Sequence, residues 1–142
     1  MTDIMDFNYL KLLLGDYIIL MIIIEIIVSF LSIIGLWKTF KKAGQPGWAS
    51  IIPIYNIIIL LKVAKVNLLN LIIIIMFSIL TGINNENLQL IGSLGIMIYD
   101  LVIAIKITKA FNKSAIFGIL LFLFPYLGYM ILGFGSATYN NN

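Results

Sequence analysis

Eight of the nine basic residues of this chain fall in three short intervals between long apolar runs. They are Lys38, Lys41 and Lys42, then Lys62 and Lys65, then Lys106, Lys109 and Lys113. The ninth, Lys11, stands near the amino terminus among Asp3, Asp6 and Asp16. Basic residues at the ends of apolar runs fix the orientation of those runs in a bilayer, because loops rich in lysine stay on the cytoplasmic side. The pattern therefore predicts a multi-pass membrane protein whose three lysine-bearing intervals share one aqueous compartment.

Composition agrees with lipid as the solvent. Of 142 residues, 62% are hydrophobic and 11% charged, with a mean hydropathy of +1.11. A soluble domain carries about 25% charged residues. The net charge is +3, yet the lysines sit at the ends of runs and not in a patch. Arginine, the preferred reader of bases, is absent. We read the lysines as contacts to anionic headgroups and exclude nucleic acid. With no Cys and no His, thiol chemistry and the commonest general base and metal ligand are missing. No catalytic residue, metal site or cofactor is expected. The bias towards Ile, Asn and Lys suggests a bacterial source.

The runs give a topology. The first covers residues 17–37, and its 21 residues reach about 30 Å, one hydrocarbon thickness. Its acidic leader and its length argue for a retained span, not a cleaved signal. Residues 67–81, 88–105 and 115–134 supply three further spans, the first of these being short. Residues 48–61 are interrupted by Pro53 and Asn56 and are too short to span comfortably. If they crossed, Lys42 and Lys62 would face opposite compartments, so a re-entrant or interfacial segment fits better. The predicted fold is an all-α membrane protein of four transmembrane helices plus that segment, in one domain over 1–142. The alternative has five transmembrane helices. Both termini are expected outside the cytoplasm, in the plasma membrane of a bacterium. The tail from Gly135 is expected to fray, and no internal repeat is evident.

Residues Phe40 to Asn56 read FKKAGQPGWASIIPIYN. This string resembles a family of small bacterial multi-pass membrane proteins of unknown function with a KAGxPGWxxxIPxYN motif, often labelled signal peptidase I. The stretch FNKSAIFGILLFLFPYLGYMILGFGSATY is similar to that family's carboxyl end, except that Asn112 stands where the family usually has Gly. The resemblance implies a fold and a membrane location, and carries no activity. The peptidase label does not survive the chemistry. It would require a Ser nucleophile and a Lys base on the outer surface. Lys113 and Ser114 lie on the cytoplasmic side, and adjacent helical residues point away from each other.

Two carboxylates lie inside apolar runs. Glu25 shares a helical face with Ser29, Ser32 and Leu36, and a charge there costs about 2.5–3.5 kcal/mol. Asp100 lies about 9 Å from Lys106 along a helix. We expect it to hydrogen-bond Tyr55 or Asn56, or to pair with Lys62. Gly44, Pro46, Gly47 and Trp48 form a turn, with positive φ open to the glycines and Trp48 at the headgroup level. Pro53 is expected to free a carbonyl one turn back. The functional expectation is a non-enzymatic accessory or scaffold bundle. The alternative is an oligomeric channel or carrier for a cation or small solute using Glu25 and Asp100. A homo-oligomer or a membrane partner subunit fits either reading.

Overall fold

The computed structural model describes residues 2–140, with side chains from residue 12 onward except that of residue 13. Lys11, Asp3 and Asp6 therefore lie outside the described side chains. All regular structure among the described residues is helical: α1 (Thr2–Lys42), one 3-10 turn (Gly47–Ser50), α2 (Pro53–Val63), α3 (Asn70–Gly82), α4 (Glu86–Ala110), α5 (Ala115–Leu123) and α6 (Pro125–Phe134).

Two helices, α1 over Leu14–Lys42 and α4 over Glu86–Ala110, are long and apolar enough to cross a membrane. The expected count of four is not met. Helix α3 has 13 residues, or about 20 Å. The run 115–134 is broken into helices of nine and ten residues. In the most apolar windows of α1 and α4, 6% and 17% of residues are buried, the reverse of a soluble core helix.

The break in 115–134 has a local cause. Phe124 adopts φ −131° and ψ 68°, outside helical space, and Pro125 follows as the first residue of α6. Proline suits that position because the N–H it lacks would be unsatisfied there. The chain then folds back on itself. A Cβ on Gly128 would lie 3.0 Å from the Leu121 Cα, so only glycine lets α6 return along α5. The two ends of the hairpin meet the same neighbours. Asn112 Nδ2 donates to the Thr138 carbonyl at 3.4 Å, and the Asn140 amide donates to the Ala110 carbonyl at 2.8 Å. The tail accordingly lies at the lysine end of the molecule, so 115–134 forms a hairpin and not the single long helix expected of a fourth span. It is also held, not frayed: Ala137 is buried, and the Tyr139 hydroxyl donates to the Val63 carbonyl at 3.1 Å.

Residues 43–65 turn back in the same way. The 3-10 turn leads away from Lys42, and α2 returns to Val63, beside the same tail. Trp48 stacks on Tyr55 with ring centroids 4.9 Å apart, joining the two limbs. Pro53 is the first residue of α2, so it breaks no hydrogen bond and frees no carbonyl, contrary to expectation.

Three helix ends converge at the lysine face and stop by one device. Gly44, Lys65 and Asn112 have φ of 68°, 54° and 56°. Behind them Gln45 N–H donates to Phe40 O at 2.8 Å, Val66 N–H to Leu61 O at 2.9 Å and Lys113 N–H to Thr108 O at 2.8 Å. These are Schellman caps, in which a left-handed residue turns the chain and satisfies the last carbonyls. A lysine stands three residues before each left-handed residue: Lys41, Lys62 and Lys109. The positive charge complements the negative helix end.

The core gathers at this end. Phe40, Ile59, Leu61, Ile107, Phe111, Leu121 and Leu132 are almost fully buried. Helix α1 packs along α6, α5 lies between α6 and α4, and α3 covers the other side of α4. The architecture repeats, although no repeat is evident in the sequence. A long helix, a left-handed cap, a short inward element, a proline and a returning helix occur once after α1 and once after α4.

Candidate functional site

Helix α4 carries Asp100 two turns before the lysine end, where α5, α6 and α2 bound an open crevice. The crevice holds about 300 Å³ and is lined by Leu60, Asp100, Ile103, Ala104, Ile107, Leu121, Phe122, Pro125 and Tyr129. The α5–α6 fold-back creates it, because Pro125 and Tyr129 reach Asp100 only after the chain reverses. Asp100 is the sole acid in an otherwise apolar and aromatic lining. Its carboxylate forms no ion pair with Lys62 and no hydrogen bond with Tyr55 or Asn56 among the described residues, contrary to expectation.

The polar groups expected around Asp100 are occupied differently. Asn56 Nδ2 donates to the Ser50 carbonyl at 3.4 Å, closing the fold-back of residues 50–56. Tyr55 is engaged with Trp48. Among the described residues three buried polar atoms lack a partner: Asn56 Oδ1, Ser50 Oγ and the Tyr99 hydroxyl. Two belong to the fold-back, and the third is the neighbour of Asp100. A polar atom left unsatisfied in an apolar setting is costly.

Glu25 is elsewhere. It lies exposed on α1 beside Leu14, Tyr17, Ile18, Met21 and Ile22, all on the same helix. Ser29 and Ser32, on its face, are half-buried. Glu25 and Asp100 line two different hollows. Among the described residues no three acidic groups converge in a way that could hold a metal ion.

The turn motif works by close approach more than by conformational freedom. Only Gly44 takes a positive φ. Gly47 instead admits the Trp37 indole, which any Cβ would strike. Trp48 is half exposed and lies against α2 through its Tyr55 stack.

The sequence reading missed a second polar centre at the lysine face. Lys42 Nζ donates to the carbonyls of Leu132 at 2.7 Å and Gly135 at 2.6 Å, so α1 caps the last turn of α6. One turn back, the buried Thr39 hydroxyl donates to Gly35 O at 2.9 Å and Tyr129 O at 3.3 Å. Lys38 lies 4.0 Å over the Phe134 ring. Tyr139 closes the group, with its ring edge on Phe111 and Lys65 facing its ring at 5.6 Å. Burial pushes the Tyr139 phenol above its ordinary pKa, which keeps the proton it donates to Val63. The sequence signal for this centre is the polar run GFGSATY, whereas the lysine spacing by itself points to headgroups and to Asp100.

A family model matches residues 48–142, from Trp48 through the described tail, and so includes both fold-backs in large part. No curated protein and no solved structure matches the chain. The matched region exceeds half of the sequence and contains Asp100 and every residue lining its crevice, and on that basis the chain belongs to a family of unknown function (DUF5684).

Proposed function

We propose that this chain is a multi-pass integral membrane protein acting as a non-enzymatic scaffold or accessory bundle. In this reading α1, α3 and α4 cross the bilayer, and residues 43–65 and 113–138 re-enter it from the lysine side. The N-terminus then faces outward, and the lysine face and C-terminus face the cytoplasm of a bacterium. Anionic headgroups are the partners of the exposed lysines. The group recognised by its KAGxPGW motif and the matched family are, on this reading, the same proteins.

The observation that carries the scaffold reading is the separation of the two carboxylates. Glu25 and Asp100 occupy different hollows on different helices, which argues against a single polar route that uses both within one chain. Non-helical backbone at membrane depth is tolerated where protein shields it or water reaches it; Ser50 and Gly128 are buried within the fold-backs, while their tips at Ile52 and Phe124 are exposed on the single chain.

A carrier is the second reading, favoured by the Asp100 crevice with its aromatic lining. Cation flux into liposomes separates the two. Absence of flux from the wild-type protein supports the scaffold. Flux that Asp100→Asn abolishes overturns it.

A further inference from the structure

The two fold-backs treat their tips differently. In the first, Asn56 stands three residues after Pro53, and its Nδ2 donates back to the Ser50 carbonyl. In the second, the residue three after Pro125 is Gly128, which has no side chain to reach back. Pro125 also has no N–H to offer the Leu121 carbonyl one turn before it. Among the described residues the carbonyls of Leu121, Phe122 and Leu123 accept no hydrogen bond. They form the end of α5, where the helix dipole is negative. That end is level with Asp100. Gly118 of α5 packs directly on Ile105 of α4, and the two helices run in opposite directions from the turn at Asn112. Five residues further along each, about 7.5 Å, Leu123 therefore stands level with Asp100. Leu121, Phe122, Pro125 and Asp100 line one crevice. Tyr129 lies within electrostatic reach of the Asp100 carboxylate, without a hydrogen bond to it among the described residues.

We infer that the crevice is a binding site for a small primary ammonium ion, held by the Asp100 carboxylate and the carbonyl oxygens at the end of α5. This inference rests on the membrane reading above, and it holds whether or not the ion crosses. In a bilayer the carboxylate and the unmet carbonyls both require a partner. A cation with N–H donors answers all of them at once. Three features select its class. One carboxylate among neutral oxygens balances a single positive charge, whereas a divalent ion draws on more carboxylates. A primary ammonium has three N–H donors, enough for Asp100 and two carbonyls. The crevice, at about 300 Å³, has the size of a small-molecule pocket and not of a bare metal ion. Leu60, Ile103 and Ile107 suit a short hydrocarbon body, and the Phe122 and Tyr129 rings suit the charge. The site also lies between the two fold-back repeats, with Leu60 from the first and Tyr129 from the second. Membrane proteins built from repeats bind cations at such junctions, on the carbonyl ends of broken helices.

Calorimetric titration of the full chain in lipid nanodiscs with n-butylammonium tests the site. Saturable binding is expected, weakened about tenfold or more in Asp100→Asn, the worth of one hydrogen bond to a charged group. Tetramethylammonium carries the same charge without an N–H and should bind about tenfold more weakly to the wild-type protein. Pro125→Ala returns an N–H to the Leu121 carbonyl and should weaken butylammonium as well. Melting of each variant shows whether its fold is kept; where it is not, the comparison of the two ammonium ions on the wild-type protein decides. No saturable butylammonium binding, equal binding in a folded Asp100→Asn, or equal binding of tetramethylammonium or sodium would overturn the assignment. Binding unchanged in a folded Pro125→Ala would overturn the part given to the carbonyls. Alkaline carbonate extraction of the source membranes separates the two claims. A chain released by carbonate overturns the membrane reading, whereas a retained chain that fails the titration overturns the site alone.

Discussion

The lysines of this chain act at the level of single atoms as well as at the level of topology. Orientation alone would place them anywhere near the ends of the runs, yet Lys41, Lys62 and Lys109 occupy one equivalent position in three Schellman caps. Gly44 is the most testable of the left-handed residues, because a Cβ there meets no other atom and the effect is purely conformational. Gly44→Ala is expected to cost about 1–2 kcal/mol and to lower the melting temperature in detergent. Tyr139 gives a pH-dependent prediction. Its folded pKa is raised, so the stability it contributes is complete below the unfolded tyrosine value of about 10 and is lost as pH rises through the folded value. Proteolytic release of the tail should therefore increase above that pH. Tyr139→Phe should release the tail at neutral pH as well, and remove the pH dependence. These contacts could not be read in the sequence, because a Tyr seventy-six residues from Val63 carries no sign of its partner.

Elements show where pattern reading succeeds and where it stops. Apolar runs and lysine spacing locate α1 and α4, because a sustained apolar run of about 18 residues or more has few alternatives to a long helix. The turn-back of residues 48–61 was legible from charge, since crossing would have separated Lys42 from Lys62. The turn-back of 115–134 was not legible in that way. No lysine follows this run to mark the returning side, and its 20 residues match a membrane thickness. Its direction is set by Pro125 and by Gly128 against Leu121, a contact that depends on the fold already being reversed. Contact between α1 and α6 depends on glycine on both sides: Gly35 would bring a Cβ to 2.9 Å from Met130 Cα, and Gly133 faces the Gly35 carbonyl. Gly133→Leu should therefore drive the two helices apart, costing about 3 kcal/mol by overpacking and breaking the Lys42 cap of α6. The check is melting in detergent, compared with Ile131→Leu, which changes an exposed position on the same helix.

At the scale of the whole molecule, the lysine half contains every buried large side chain, while the other half consists of α1 alone and the α3–α4 pair. That asymmetry follows from two fold-backs that each extend about half the length of a crossing helix. It also explains why the candidate site was only half legible. Asp100 stood out as a carboxylate in an apolar run, but its neighbours Tyr129 and Pro125 come from a hairpin that the sequence pattern had read as a straight span. The central claim is that all three lysine intervals and the C-terminus share one side, opposite the loop at Asn84. Labelling single cysteines with a membrane-impermeant thiol reagent tests it directly, using Lys41→Cys, Lys62→Cys, Lys109→Cys, Thr138→Cys and Asn84→Cys in intact cells and in inverted vesicles. The first four are expected to react only in inverted vesicles, and Asn84→Cys only in intact cells. Reaction of Thr138→Cys together with Asn84→Cys, or of Lys41→Cys and Lys62→Cys from opposite sides, would contradict it.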